Sequence, residues 1–419
     1  MAARAFVLVV AVAAIGTLST LRHPDVARAA PIASGGTSAF TPVGPVRLAD
    51  TRQPACGCRR VDDHTIRVDV AGTPDVPDDV SAAAITVTVT EPRAAGFATV
   101  YPSGSTVPLA STVNFLRGQT TANSTIIRVG DAGAIDVHTS AIAEVVVDVT
   151  GVFVETDEAT SGRFVALTPR RVLDGREPGA VVGRMTPGSS ATIPLSDSVP
   201  GDATAVAVNV TSVEAQRPGF LTGAAAGAPQ PDTSFLNPDG SGAAVAAAVI
   251  LPVSPSGITI TNTSGGRLVI DLTGYFTGPS APSSTDGLFV ATTPTRLLDT
   301  RSIPERVWAN GSMEIASPFA DAVALATNIT MTIADGPGYI TAHEAGVPRG
   351  IVSAVNATHR DHTVPNAAIT PVSDRGVAMY SSVSTDLVVD LNGYFTGTPR
   401  TATLAVAPNA RAPRRVLMV

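Results

Sequence analysis

Residues able to do chemistry are few in this chain, and they are unevenly placed. Three histidines, His343, His359 and His362, fall close together late in the sequence, with Glu344 and Asp361 beside them. Two imidazoles and a carboxylate can hold zinc, and zinc can activate water for hydrolysis. No helical H-E-x-x-H accompanies them, so histidines in solvated loops are the plainer expectation. Cys56-Gly57-Cys58 is the only cysteine pair. In an exported chain it should be oxidised, and a local disulfide stiffening the loop after Arg52 is expected. Metal binding by two thiolates, or pairing with another chain, are the alternatives. A third group recurs. Asp148, Asp271 and Asp390 each stand in an otherwise apolar run, and Arg52, Arg176 and Arg301 recur with them. A carboxylate in such a run needs a partner. The expectation is a structural clamp joining Arg52 to Asp148, Arg176 to Asp271 and Arg301 to Asp390, with a repeated ligand site as the alternative.

Other chemistries lack their parts. Every basic residue apart from histidine is Arg, and the absence of Lys excludes a lysine Schiff base, a P-loop lysine and a lysine isopeptide crosslink. No G-x-S-x-G elbow stands at a strand–helix junction. The recurring Asp residues have Arg neighbours, which would hold them ionised and spoil a general acid for glycoside cleavage. Trp308 is the only Trp and there are five Tyr, few platforms for stacking a sugar. The chain therefore reads as non-enzymatic, without a cofactor.

These residues sit on a unit written three times. "VRLADTR" (Val46 to Arg52) returns as "RVLDGR" (Arg171 to Arg176) and "TRLLDTR" (Thr295 to Arg301). "VVVDVTGVF" (Val145 to Phe153) returns as "LVIDLTGYF" (Leu268 to Phe276) and "LVVDLNGYF" (Leu387 to Phe395). Between them lie "TVTVT", "VNVT" and "TNIT", each followed by a Gly-aromatic pair: Gly96-Phe97, Gly219-Phe220 and Gly338-Tyr339. The repeats are 40–153, 164–276 and 289–395, with linkers at 154–163 and 277–288. A period of roughly 120 residues exceeds a solenoid or propeller unit and suits a domain with its own core. Apolar residues make up 44%, with 37 Gly and 33 Pro, a balance that favours many short strands joined by turns. The expected fold is all-β: three tandem β-sandwich domains, jelly-roll or Ig-like. In the closing strand, Leu268, Ile270, Leu272 and Phe276 share one face at period two, and the near-continuous apolar character predicts a central strand covered on both sides. Asn209 and Asn328 lie inside strand patterns and read as structural polar positions.

Residues 1–29 combine Arg4, the apolar run Ala5 to Ile15, and Ala27-Arg28-Ala29, the pattern of a secretory signal peptide. No later stretch is apolar for long enough to cross a membrane. Export, without a membrane span after cleavage, is expected. The formal net charge of −7 argues against nucleic acid as a main partner. The tail, 398–419, ends on "APRRVLMV", which repeats the start of "TPRRVLD" where a fourth repeat would open. It reads as the remnant of a lost repeat, without fixed structure and with its Arg residues solvated. The competing reading is that Arg414 to Val419 adds as an edge strand.

The set F-x-x-x-x-P-x-R-L-x-D-T-R, N-V-T, G-aromatic, S-x-x-N and V-x-D-V-x-G-Y-F resembles a repeat family of secreted actinobacterial proteins, often found beside extracellular catalytic domains. The likeness covers nearly all of the chain after residue 29. Gly175 replaces the motif Thr and Val152 the motif Tyr. The resemblance implies an extracellular accessory or surface module. The expected function is a non-catalytic structural or adhesive module at the cell surface, with cell-wall polymers or other surface proteins as partners and non-covalent wall association. A cell-wall or carbohydrate-binding accessory comes second. A zinc-dependent hydrolase confined to repeat 3 comes third.

Overall fold

The computed structural model describes residues 34–402 and the backbone of 414–416. The leader expected at 1–29 lies outside them. The fold is all-β and predominantly antiparallel, with two short 3-10 turns among the described residues. Among the described residues no helix is long and apolar enough to cross a membrane.

Each repeat makes an inner and an outer sheet. The inner sheet of repeat 1 runs in the order Ser34–Asp50, Glu144–Glu155, Val80–Thr90, Thr121–Arg128, and that of repeat 2 in the order Phe164–Asp174, Arg267–Phe276, Ala205–Val213, Val245–Pro252. In repeat 3 the order is Phe289–Asp299, Asp386–Thr396, Ala322–Thr332, Val364–Pro371. The closing strand thus lies between the opening and middle strands in all three, which explains its unbroken apolar character. Apolar side chains from both sheets interleave in one core per repeat, the arrangement of a β-sandwich.

A fourth core belongs to all three repeats together. It is built on Phe40, Phe153, Phe164, Phe276, Phe289 and Phe395, backed by alanines of the middle strands. These six Phe are the first and last residues of the three repeats read from the sequence. Each opening Phe meets its own closing Phe, at centroid distances of 5.1, 5.3 and 5.0 Å. Each also meets the closing Phe of another repeat: Phe40 with Phe276 at 4.2 Å, Phe289 with Phe153 at 4.6 Å, and Phe164 with Phe395 at 4.5 Å. The three closing rings face one another at 6.0–6.3 Å. The result is a hub of threefold pattern made by one chain.

The backbone closes the same ring. Phe40 N–H donates to the Gly162 carbonyl, and Phe164 N–H to that of Gly287. Ser38 pairs with Phe289, so the opening strands of repeats 1 and 3 join the two inner sheets into eight strands. The linkers are therefore pinned rather than free spacers. Arg163, nearly buried, donates to the carbonyls of Pro282 and Asp286, and Ala159 bridges Ser284.

One period-two expectation needs correction. Leu268, Ile270 and Leu272 fill the core of repeat 2, but Phe276 turns into the hub. The cause is a bulge: Ala207 pairs with Gly274 and the next residue, Val208, with Leu272. One extra residue inverts the alternation beyond it. The same irregularity precedes Gly151 and Gly393 in the other two repeats.

These three glycines make room for the hub. A Cβ on Gly151, Gly274 or Gly393 would lie 2.1, 2.2 or 2.4 Å from Cζ of Phe40, Phe164 or Phe289. Gly274→Ala should destabilise the protein by about 1–3 kcal/mol through overpacking. Gly201→Ala, in open space, should stay within about 0.5 kcal/mol. Urea unfolding of the two variants checks the contrast.

Candidate functional site

The recurring charges occupy the junction of opening and closing strands. Asp148, Asp271 and Asp390 are each 1% exposed. Their partners are not the arginines expected. Asp148 is held by Arg47, Asp271 by Arg171 and Asp390 by Arg296. In each case the guanidinium Nε and Nη2 reach the two carboxylate oxygens, with Nε distances of 2.9 Å for Arg47 and Arg171. Arg52, Arg176 and Arg301 turn instead to Asp50, Asp174 and Asp299, two residues earlier. Register decides this. Arg47, Arg171 and Arg296 stand directly opposite the buried Asp, and a bulge just beyond each shifts the rest of the strand. Each repeat thus holds an alternating row of four charges, as in Arg301–Asp299–Arg296–Asp390.

The buried carboxylates also reach across the seams. Asp148 accepts from the Ser234 N–H of repeat 2, Asp271 from Ser353 of repeat 3, and Asp390 from Ser111 of repeat 1. These serines open the three S-x-x-N phrases, so that recurring motif is a contact between repeats. The signal was present in the sequence, but its partner was not. Contrary to the expectation that the arginines would hold them low, burial pushes all three carboxyls up from the ordinary range and outweighs the arginine hydrogen bond. Asp50, Asp174 and Asp299 are held low by the hydrogen bond from the following Arg, Asp174 at about 2.

Asparagines tie two of the three seams. Between repeats 2 and 3, Asn209 donates to the Ser353 carbonyl and receives a bond from Asn366. Between repeats 3 and 1, Asn328 donates to the Ser111 carbonyl and receives one from Asn123. Asn209 and Asn328 are the structural polar positions expected. The seam between repeats 1 and 2 has neither amide. Strand register puts Thr86 where Asn209 and Asn328 stand, and Ala247 where Asn123 and Asn366 stand. Thr86 pairs within its own repeat, with Ser124. At this seam lies a cleft of about 220 Å³, walled by Arg47, Arg52 and Thr88 of repeat 1 and Phe220, Asp232 and Asn237 of repeat 2.

The histidines do not converge. His343 lies near one end of strand Gly338–Glu344, while the loop holding His359 and His362 follows Ala357, which pairs with Gly338 at the other end. Five residues of strand separate those ends by about 17 Å. His343 and His359 each place Nδ1 on a nearby carbonyl, and His362 Nδ1 accepts from Thr358 N–H. Burial takes His362 down to about 4 and lowers His343. Among the described residues no three His, Cys, Asp or Glu side chains gather where a metal ion could sit. Cys56 and Cys58 form a disulfide with each other.

The tail departs from its expected lack of structure. Arg414–Val416 adds as a parallel edge strand to Gly311–Ile315 in the outer sheet of repeat 3. Arg400 meets buried Glu344 at 3.2 Å, and its guanidinium also donates to Thr168 of repeat 2. The competing edge-strand reading therefore holds for these three residues, and Arg400 is not simply solvated.

No protein-family model matches the chain, and no curated protein matches it at a significant level.

Two outcomes follow from this arrangement. Asp271→Ala or Arg171→Ala should each cost about 3–5 kcal/mol, because one buried charge loses its partner. Arg176→Ala, which breaks a half-exposed pair, should cost under about 1 kcal/mol. A double-mutant cycle of Asp271 and Arg171 by urea unfolding should show strong coupling. The second outcome concerns acid. Asp174 titrates at about 2 in the folded chain and near 3.9 when unfolded. Its stabilisation is complete above that unfolded value and lost as pH falls towards 2. Asp174→Asn should therefore flatten the decline in stability between about pH 4 and pH 2.

Proposed function

We propose that this chain is an exported, non-catalytic module with a structural or adhesive role at an actinobacterial cell surface. The observation that carries the reading is how its recurring ionisable groups are used. Each buried Asp receives an arginine from its own repeat and a backbone N–H from the next. Such groups hold sheets in register, and each carboxylate, 1% exposed, is closed off from a substrate. The leader-like N-terminus and the resemblance to secreted repeats support the location. The three-repeat hub supports a stiff body suited to presenting a surface. A cell-wall or carbohydrate-binding accessory is the second reading, favoured by the polar cleft between repeats 1 and 2.

The test is to incubate labelled full chain with intact actinobacterial cells and purified walls, and to assay peptidoglycan, ester and peptide turnover with and without zinc. Retention on the cells without turnover is expected. Zinc-dependent hydrolysis lost in His359→Ala or His362→Ala would overturn the reading.

A further inference from the structure

The seam between repeats 1 and 2 departs from its two counterparts in more than the missing asparagines. Asp232 stands two residues before Ser234, where the other repeats carry Leu109 and Ile351, both strongly exposed apolar residues. A sequence that repeats three times has changed here in composition and in charge. The change lines the one cleft described above.

The wall chemistry narrows what would fit. Arg47 and Arg52 face the cleft, but each guanidinium is already forked onto a carboxylate, Asp148 or Asp50. Each carboxylate takes two of a guanidinium's five N–H donors, and Asp232 adds its negative charge beside Arg47, so the arginines keep N–H groups for a neutral ligand's oxygens but no unmatched positive charge for an anion. Asp232 accepts no hydrogen bond from any described residue and is exposed. Asn237 Oδ1 is buried without a partner, and so is the hydroxyl of Thr88, a residue 5% exposed. Thr211 and Thr330, the equivalents of Thr88, are also unpaired, but their seams lack the carboxylate. The cleft therefore offers both acceptors and donors, with Asp232 its one unmatched charge. Phe220, 37% exposed, adds an apolar face at the rim. A volume of about 220 Å³ falls below the ~300–1,000 Å³ of ordinary ligand pockets and equals about seven waters of bulk liquid. That is room for one small ring.

We propose that this cleft binds a single neutral pyranose unit, its hydroxyls donating to Asp232, Asn237 and Thr88 and its apolar face lying on Phe220. A hydroxylated ring both donates and accepts, and so suits walls that carry carboxylate, amide and hydroxyl oxygens beside guanidinium N–H groups. It carries no charge to be repelled by Asp232, and it presents the C–H face that an aromatic rim accommodates. The site goes beyond the structural role, because none of Asp232, Thr88 Oγ1 or Asn237 Oδ1 takes part in the hydrogen bonds between repeats, and Asp232 acts on Arg47 through its charge.

Titration of the full chain with glucose, galactose, mannose, rhamnose, glucuronate and methylammonium, followed by calorimetry and NMR, tests it. At least one neutral sugar should bind saturably in the millimolar range or tighter. Asp232→Ala and Thr88→Val should each weaken that binding tenfold or more without lowering the melting temperature. Four results would overturn the proposal: no neutral sugar binds, glucuronate is preferred, methylammonium is preferred, or neutral-sugar binding is indifferent to both variants. Neither variant removes a hydrogen bond of the folded chain, so lost binding would not be a symptom of misfolding.

Discussion

The meeting of six phenylalanine rings at one point organises this protein. Each ring is at most 3% exposed and touches rings from its own and another repeat. Burying one such side chain contributes about 1.5–3 kcal/mol, and favourable aromatic pairs add about 0.5–1.5 kcal/mol. Other features follow from the hub. The closing strand must change face to send its last Phe inward, hence the bulge. It must carry Gly where an opening ring lies across it. The linkers must run close to the hub, and their backbone carbonyls receive the N–H groups of Phe40 and Phe164.

Three copies joined in one chain are free in a way that three identical subunits are not. In a homotrimer a substitution appears at every seam. Here the seams have separated: two carry an asparagine pair and one carries Thr86, Ala247 and Asp232. Outer edges have separated as well. Cys58–Arg60 covers the edge of repeat 1, and Arg414–Val416 that of repeat 3. Among the described residues no strand covers Ser189–Ile193 in repeat 2. That edge is short and polar, a recognised way to discourage pairing with other chains.

The buried Asp–Arg pairs fit the same frame. Taking charge out of water is costly, and the attraction recovered inside does not always exceed that cost. What such a pair does well is penalise any register in which one partner is left alone. In an inner sheet of Val, Ile, Leu and Ala, many registers would bury similar apolar area. A cross-strand Asp–Arg pair that also accepts the next repeat's Ser N–H distinguishes one of them, both within the sheet and across the seam.

Strand content and the threefold repetition were legible in the sequence, because period-two patterns, turn residues and internal likeness are local properties. The need of Asp148, Asp271 and Asp390 for a cationic partner was legible too, since a lone carboxylate in an apolar run admits few alternatives. Which arginine answers was not. Two candidates lie five residues apart in each opening motif, one inside the strand and one two residues past its end, and a one-residue bulge, invisible to a period count, selects Arg47, Arg171 and Arg296. The histidines show the converse: closeness in sequence suggested a site, and a strand running between them holds them apart. The hub, the seams and the cleft were decided by tertiary structure alone, because each joins residues from different repeats. Nothing local to Phe164 says that it will meet Phe395, and nothing local to Asp232 says that it will stand across a cleft from Thr88.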